Sequence, residues 1–387
     1  MVLAATGYLA ISFSVAQVAA RISPEFAYRL APYDGRIAAR IAAMITDGEA
    51  DPTERVRADV LAREALRLDP TAVAALSTLG IDADVRGDRQ SARRLFDQAN
   101  RLSRRDLKTQ LWKIEDAVGR GDVPGALRAY DIALRTHPYL SELLFPVLGG
   151  ASADPTIRQQ VVRTLATRPA WGADFVNFVA AGAVNPDVTA SLLTDLARAR
   201  VPVPPTARRD AIDALVKAGR LDAAWRYYAS THRGADRRRG RDPRFAAQTD
   251  TPSVLDWLPV NADGIVATTG DGGLNFSAPA SLGGAVIAQA QLLPPGRYQI
   301  AGRASGIADN AAAEPYWVLQ CRNDARELGR AVLRAGNGPF AAEVTVPTDC
   351  PIQTLALIVR PSDAIGGTTG RVEEVVLTPV HMGSDGR

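Results

Sequence analysis

The sequence predicts an α + β multidomain protein: an N-terminal α-helical solenoid followed by an all-β sandwich or jelly roll. Three observations carry this. Residues Ala39 to Pro138 repeat against themselves with a period of 34; beyond Pro252 the apolar spacing changes to two; and between these regions lies an arginine-rich run with no apolar period. A chain of 387 residues, 47% of them hydrophobic, has material for two cores.

The repeat starts the argument. With Val73 set over Leu107, Gly87-Asp88 falls on Gly121-Asp122, Ala92 on Ala126, Phe96 on Tyr130 and Ala99 on Ala133. Pro70 falls on Pro138 after two shifts. In the unit from Val73, Leu76, Leu79 and Gly80 belong to a first helix and Ala92, Phe96 and Ala99 to a second, turned by Arg86-Gly87-Asp88. Gly80 and Ala92 let two helix backbones approach while Phe96 fills the groove towards the next unit. The unit from Leu107 keeps the second-helix set but has Gln110, Lys113 and Ile114 in its first helix, and the unit from Ala39 keeps only Ala58, Ala65 and Pro70. A 34-residue unit with small residues at helix crossings, an aromatic between them and a closing proline resembles the tetratricopeptide-repeat (TPR) family. That resemblance implies TPR-like repeats over 23–138 and a protein partner on the surface lined by first helices. By alignment these residues are Ser77, Ile81, Asp84, Lys108, Leu111 and Glu115. They equally fit an ordinary solvated helix face.

Residues 1–22 form an N-terminal hydrophobic helix, read as a membrane anchor or an uncleaved signal, with a buried first helix as the alternative. Val2 to Ala20 carries no charge and is about long enough to span a bilayer, although Gln17, the serines and the alanines weaken it. A signal peptide would open on basic residues, and Arg21, Arg29, Arg36 and Arg40 all follow instead. A start codon placed too late would reconcile the signals. The placement expected is single-pass in a bacterial inner membrane, with the soluble part periplasmic.

From 139 to 232 an irregular helical continuation is expected, with Asp154-Pro155 and Asn185-Pro186 as helix starts and Val201 to Pro205 as an extended break. At its end Gly219 sets on Gly87, Ala224 on Ala92 and Tyr228 on Phe96, so a degenerate repeat closes the solenoid. Residues 233–253 are the arginine-rich linker. A phosphate or lipid-headgroup patch is one reading; a solvated connector, with Asp236, Asp242 and Asp250 interleaved, is the plainer one.

The sandwich is placed at 254–380. Nine short strands are expected, at 265–267, 274–276, 284–290, 297–304, 315–322, 331–334, 343–346, 353–360 and 371–377, separated by Gly, Pro, Asn and Asp turns. Their pattern resembles the β-sandwich modules attached to carbohydrate-active proteins, which implies a glycan or a second protein as ligand. Cys321 ends one strand and Cys350 opens another, so a disulfide in an oxidising compartment is expected, against a pair of buried reduced thiols. With Cys321 inward, Trp317 shares its face and Tyr316 turns outward, beside Gln320 and Arg322. These three are the candidate glycan-binding residues; an ordinary surface tyrosine is the plainer reading. Residues 381–387 resemble a vector-derived tail and are left out of the fold reasoning.

Enzyme signatures are scarce. His137, His232 and His381 have no metal-ligand spacing, Gly270 to Gly273 lacks the lysine of a phosphate loop, and Glu373 and Glu374 alternate faces of a strand. No catalytic residue, cofactor or metal is therefore expected. Of the 45 basic residues only Lys108, Lys113 and Lys217 are lysine, and the charge splits as 36 basic to 28 acidic before Asp250 and 8 to 13 from there to Val380. Neither block suggests a nucleic-acid partner. The functional expectation is a non-enzymatic scaffold or adaptor in bacterial cell-envelope or exopolysaccharide assembly. The alternative is a carbohydrate-binding module protein or an accessory subunit of a carbohydrate-active hydrolase.

Overall fold

The computed structural model describes residues 2–380 apart from 21, 49, 248, 262–263, 310–312 and 362–365, with no side chains for 2–10 and 183. The tail at 381–387 and His381 lie outside the described residues. The chain is α + β, helices first and strands after. It divides into two compact units: the first is the chain up to Leu148 with Asp154–Trp171, the second Gly149–Ala153 with the chain from Gly172.

The first unit opens with α1 (Val2–Ala19), α2 (Pro24–Leu30), α3 (Gly35–Ile45) and α4 (Pro52–Leu68). Ala16 and Ala20 of the α1 segment are buried in a cluster with Ala27, Ala31, Ile37 and Ile41, while Ile11, Phe13, Val15 and Val18 stay exposed. Gln17 donates to the Asp34 carboxylate. Among the described residues no helix is long and apolar enough to cross a membrane.

Two helix pairs follow with identical spacing: α5 (Val73–Val85) and α6 (Arg89–Leu102), then α7 (Leu107–Gly119) and α8 (Val123–Thr136). Both bends rest on the same two residues. Gly87 and Gly121 take φ of 82° and 70°, a left-handed conformation that favours glycine. Asp88 and Asp122 then cap the second helices by accepting from Ser91 N at 3.0 Å and Gly125 N at 2.9 Å. A Cβ added at Gly80 would lie 2.8 Å from the Phe96 ring, so the two helices of the pair approach as closely as the sequence implies. Phe96 in turn stacks on Trp112 of the following pair, centroids 4.4 Å apart.

The expected third unit departs from this phase. A strict period would start its helices at Ala39 and Arg55, yet α3 starts at Gly35 and α4 at Pro52, where Asp51 and Glu54 form a reciprocal cap. Ala58 and Ala65 are nonetheless buried. A 3₁₀ turn at Pro138–Leu140, α9 (Ser141–Ala151) and α10 (Pro155–Ala166) follow, with Asp154 capping α10 as its Asp-Pro start predicts.

The second unit holds α11 (Gly172–Phe178), a π-helical turn at Val179–Ala183, α12 (Pro186–Arg198), α13 (Pro205–Lys217) and α14 (Leu221–Thr231). The compact division thus falls ahead of these helices and not at the arginine-rich run. Strands β1 (Leu258–Pro259), β2 (Val266–Gly270), β3 (Gly273–Ala278), β4 (Gly284–Gln291), β5 (Gly296–Ile307), β6 (Tyr316–Cys321), β7 (Glu327–Val332), β8 (Gly336–Val346), β9 (Gln353–Val359) and β10 (Thr368–Pro379) complete it. They form two antiparallel five-stranded sheets, ordered β1-β4-β9-β6-β7 and β2-β3-β10-β5-β8. Each expected segment overlaps a strand; β1, two residues long, shows no alternation and was not expected.

Alternation explains the core. Trp317, Leu319 and Cys321 of β6 point inward with Leu355 and Leu357 of β9, against Ile300 of β5 and Val372 and Val375 of β10. Cys321 and Cys350 are joined by a disulfide, Cα atoms 5.7 Å apart.

The solvated-connector reading of 233–253 needs correction. Gly240 N donates to Leu377 O and Val375 N donates to Pro243 O, both at 2.9 Å, tying this segment to β10. Phe245 is buried in the sandwich core beside Trp257 and Trp317. Arg241 is buried as well, its Nε donating to Leu255 O at 2.9 Å and its guanidinium lying over the rings of Trp225 and Tyr228. Backbone pairing and one or two deep side chains hold the run in place, and neither produces a period.

Candidate functional site

The expected glycan platform at β6 is spoken for. Tyr316 and Gln320 lie half-buried on the outer face and Arg322 is exposed beyond the strand end. The neighbouring strands decide what Tyr316 offers: Arg330 of β7 lies 4.7 Å from its ring centroid, and Arg360, just past β9, lies 4.8 Å from it. Two guanidinium groups therefore occupy the ring surface on which a sugar would pack. Arg330 is itself held by Glu327, which raises its pKa through their hydrogen bond.

The expected peptide groove is similarly altered. Ser77 is only 1% exposed and donates to Ala74 O, so it lines no surface. Lys108 is drawn to the end of α3, donating to Ala43 O at 3.0 Å and standing 2.6 Å from Asp47. Asp84 faces Arg89 at 3.5 Å, Ile81 and Leu111 are half-buried, and of the six only Glu115 is exposed.

A hollow of about 710 Å³ opens in the first unit instead, among α6, α7, α8 and α10. It is lined on α7 by Gln110, Lys113, Asp116, Ala117 and Arg120. At about 3.6 residues per turn these lie on the side of α7 opposite Lys108, Leu111 and Glu115. Asp116 is buried and takes Arg93 at 2.7 Å and Arg120 at 3.1 Å. The Arg93 hydrogen bond, seconded by Arg120, holds its carboxyl below the usual carboxylate range. Lys113 pairs with Asp97 at 2.6 Å, and Asp131 takes both Arg135 at 2.9 Å and the Trp171 indole at 3.2 Å.

In the second unit a cavity of about 670 Å³ lies between the 232–252 segment and the β1 and β2 edge of the sandwich. Asp256 organises its wall, accepting from Tyr228 Oη at 2.8 Å, Ser253 N at 2.9 Å and Ser253 Oγ at 2.7 Å. Burial and the nearby Asp256 push the Tyr228 hydroxyl well up. The His232 ring stacks on Tyr228, 3.9 Å between centroids and 9° from parallel, with Nδ1 held 3.0 Å from Tyr228 O and the side chain 46% exposed. Asp242 is committed to the backbone N–H groups of Ala246 and Ala247, whereas among the described residues Arg233 and Asp250 form no ion pair. This cavity went unseen in sequence because its residues belong to the run read as a connector.

Ser253 Oγ gives its hydrogen bond to Asp256 and not to an imidazole, so serine and base are not coupled as nucleophilic catalysis requires. Among the described residues no group of three or more His, Cys, Asp or Glu is placed to hold a metal ion.

No protein-family model and no characterised relative matches the chain. Its C-terminal part resembles solved carbohydrate-binding modules. A CBM4 module is 16% identical with a TM-score of 0.28, covering 36% of this chain and 99% of that one. The CBM22-1 xylan-binding domain of Paenibacillus barcinonensis Xyn10C is 12% identical with a TM-score of 0.26, covering 36% and 92%. TmCBM61, solved with β-1,4-galactotriose, is 12% identical with a TM-score of 0.27, covering 36% and 97%.

Proposed function

We propose that the chain is a non-enzymatic adaptor of the bacterial cell envelope, serving exopolysaccharide or envelope assembly. Its TPR-type helical pairs dock a protein partner and its sandwich unit binds a glycan. The observation that carries the glycan reading is the half-exposed His232 ring, held flat on Tyr228 at the cavity beside Arg233 and Asp250, which form no ion pair among the described residues. A sugar needs a flat apolar surface for its C–H face and donors and acceptors for its hydroxyls, and this wall has both. The disulfide supports an oxidising compartment, for which the periplasm is the proposed site. Exposed Ile11, Phe13, Val15 and Val18 of α1 are the surface by which the chain is held at the inner membrane.

Affinity-gel electrophoresis of the full chain against neutral and acidic glycans tests the sandwich role. Retardation abolished by His232→Ala and untouched by Tyr316→Ala is expected; indifference to every glycan overturns it. The adaptor role is tested by purification from the native membrane with identification of what accompanies the protein, where recovery of ribosomes and chaperones alone counts against it.

A further inference from the structure

We propose that the groove among α6, α7, α8 and α10 binds an extended acidic segment of a partner protein. This rests on the adaptor reading of the first unit and is independent of the glycan reading of the second. The floor of the groove is electrically closed: Asp97, Asp116 and Asp131 are each matched to Lys or Arg. The rim is not. Arg104 just past α6, Arg128 on α8 and Arg163 on α10 all line the hollow, all are exposed, and among the described residues none has an ion-pair partner. Guanidinium groups pair carboxylates in a planar fork, and several on one groove set orientation and encounter rate even where each exposed pair is weak.

An acidic polysaccharide fits less well, because the aromatic side chain of this groove, Trp112, is 8% exposed and stacked on Phe96, which leaves no open ring for a sugar face.

The test is a titration of fluorescein-labelled octaglutamate into the full chain, read by anisotropy at about 0.1 M salt, where charges are screened beyond about 10 Å. Binding is expected, weakened roughly tenfold or more by R104E/R128E/R163E together and little changed by R94E/R101E/R105E, three arginines of the same unit outside the groove. Circular dichroism checks the fold, and if the triple reversal unfolds, Arg128→Gln is read in its place with a smaller loss expected. Absence of octaglutamate binding overturns the proposal, as does equal weakening by both triple variants. Polygalacturonate binding more tightly and depending on the same arginines overturns it in favour of a glycan. Partner capture from native membrane that survives R104E/R128E/R163E sinks the groove while leaving the adaptor reading intact.

Discussion

The pair α5–α6 and the pair α13–α14 are one local structure with two fates. Val73 corresponds to Pro205, Val85 to Lys217 and Arg89 to Leu221, each 132 residues on, so three of the four helix bounds coincide, and α14 ends at Thr231, short of the place set by Leu102. Gly87 and Gly219 take φ of 82° and 71°, Ala92 and Ala224 are buried, and Phe96 and Tyr228 occupy the same place. What differs is the partner of that aromatic. Phe96 stacks on Trp112 and passes the array on to the next pair, whereas the Tyr228 hydroxyl donates to Asp256 and takes its pair into the sandwich unit. A helical hairpin is thus specified by its turn and small residues, and its place in the fold by what its aromatic and the side chains around it meet, Arg241 over Trp225 and Tyr228 among them.

The largest expected effect tests the first of these fates. Phe96→Ala removes a fully buried ring and should cost about 3–5 kcal/mol, seen by calorimetry as a lower transition for the first unit with the second unmoved. A single merged shift of both transitions would break the comparison. Next, Cys321→Ala with Cys350→Ala opens a loop of sequence separation 29 and should cost the second unit about 2–4 kcal/mol, leaving the first where it was. Tyr228→Phe deletes one hydrogen bond while keeping the ring, and about 1–2 kcal/mol should leave the second unit. If that variant melts like the parent, Asp256 does not decide where the hairpin belongs.

The smallest effect is a difference in pH response. Asp116 in the first unit has its carboxyl lowered by Arg93, so its contribution is present above the unfolded value of about 3.9 and lost as pH falls through the lower folded value. Asp213 in the second unit is pushed the other way by burial. Folding favours its protonated form, so that contribution is present below about pH 3.9 and lost as pH rises through the higher folded value. Acidification towards about pH 4 should therefore raise the second transition slightly, and more acid should lower the first. Asp213→Asn, which keeps an acceptor for Val254 N, should flatten the second response; an unchanged slope would dispose of this account.

Much of the fold was legible because its causes are local. Gly-Asp pairs announce both a left-handed turn and a helix cap, and alternation in Trp317, Leu319 and Cys321 announces a buried strand face. The candidate sites were far less legible. Tyr316 turns outward as its parity implies, yet Arg330 and Arg360, distant in sequence, cover its ring. Lys108 was placed on a solvent-facing groove, and α3 claims it. The run from 233 to 252 reads as solvated because its deep side chains, Arg241 and Phe245, are single residues in a polar stretch.

By itself the sequence determined which half is α and which β, that two helix pairs repeat at 34, and the approximate place of most helices and strands. Turn conformations, caps and face periodicity depend only on residues a few positions apart. Only the tertiary structure decided that α13–α14 and the arginine-rich run belong with the sandwich, and that the open hollow of the first unit lies on the opposite side of α7. Those outcomes turn on which surfaces remain uncovered, and covering is done by residues brought from elsewhere in the chain.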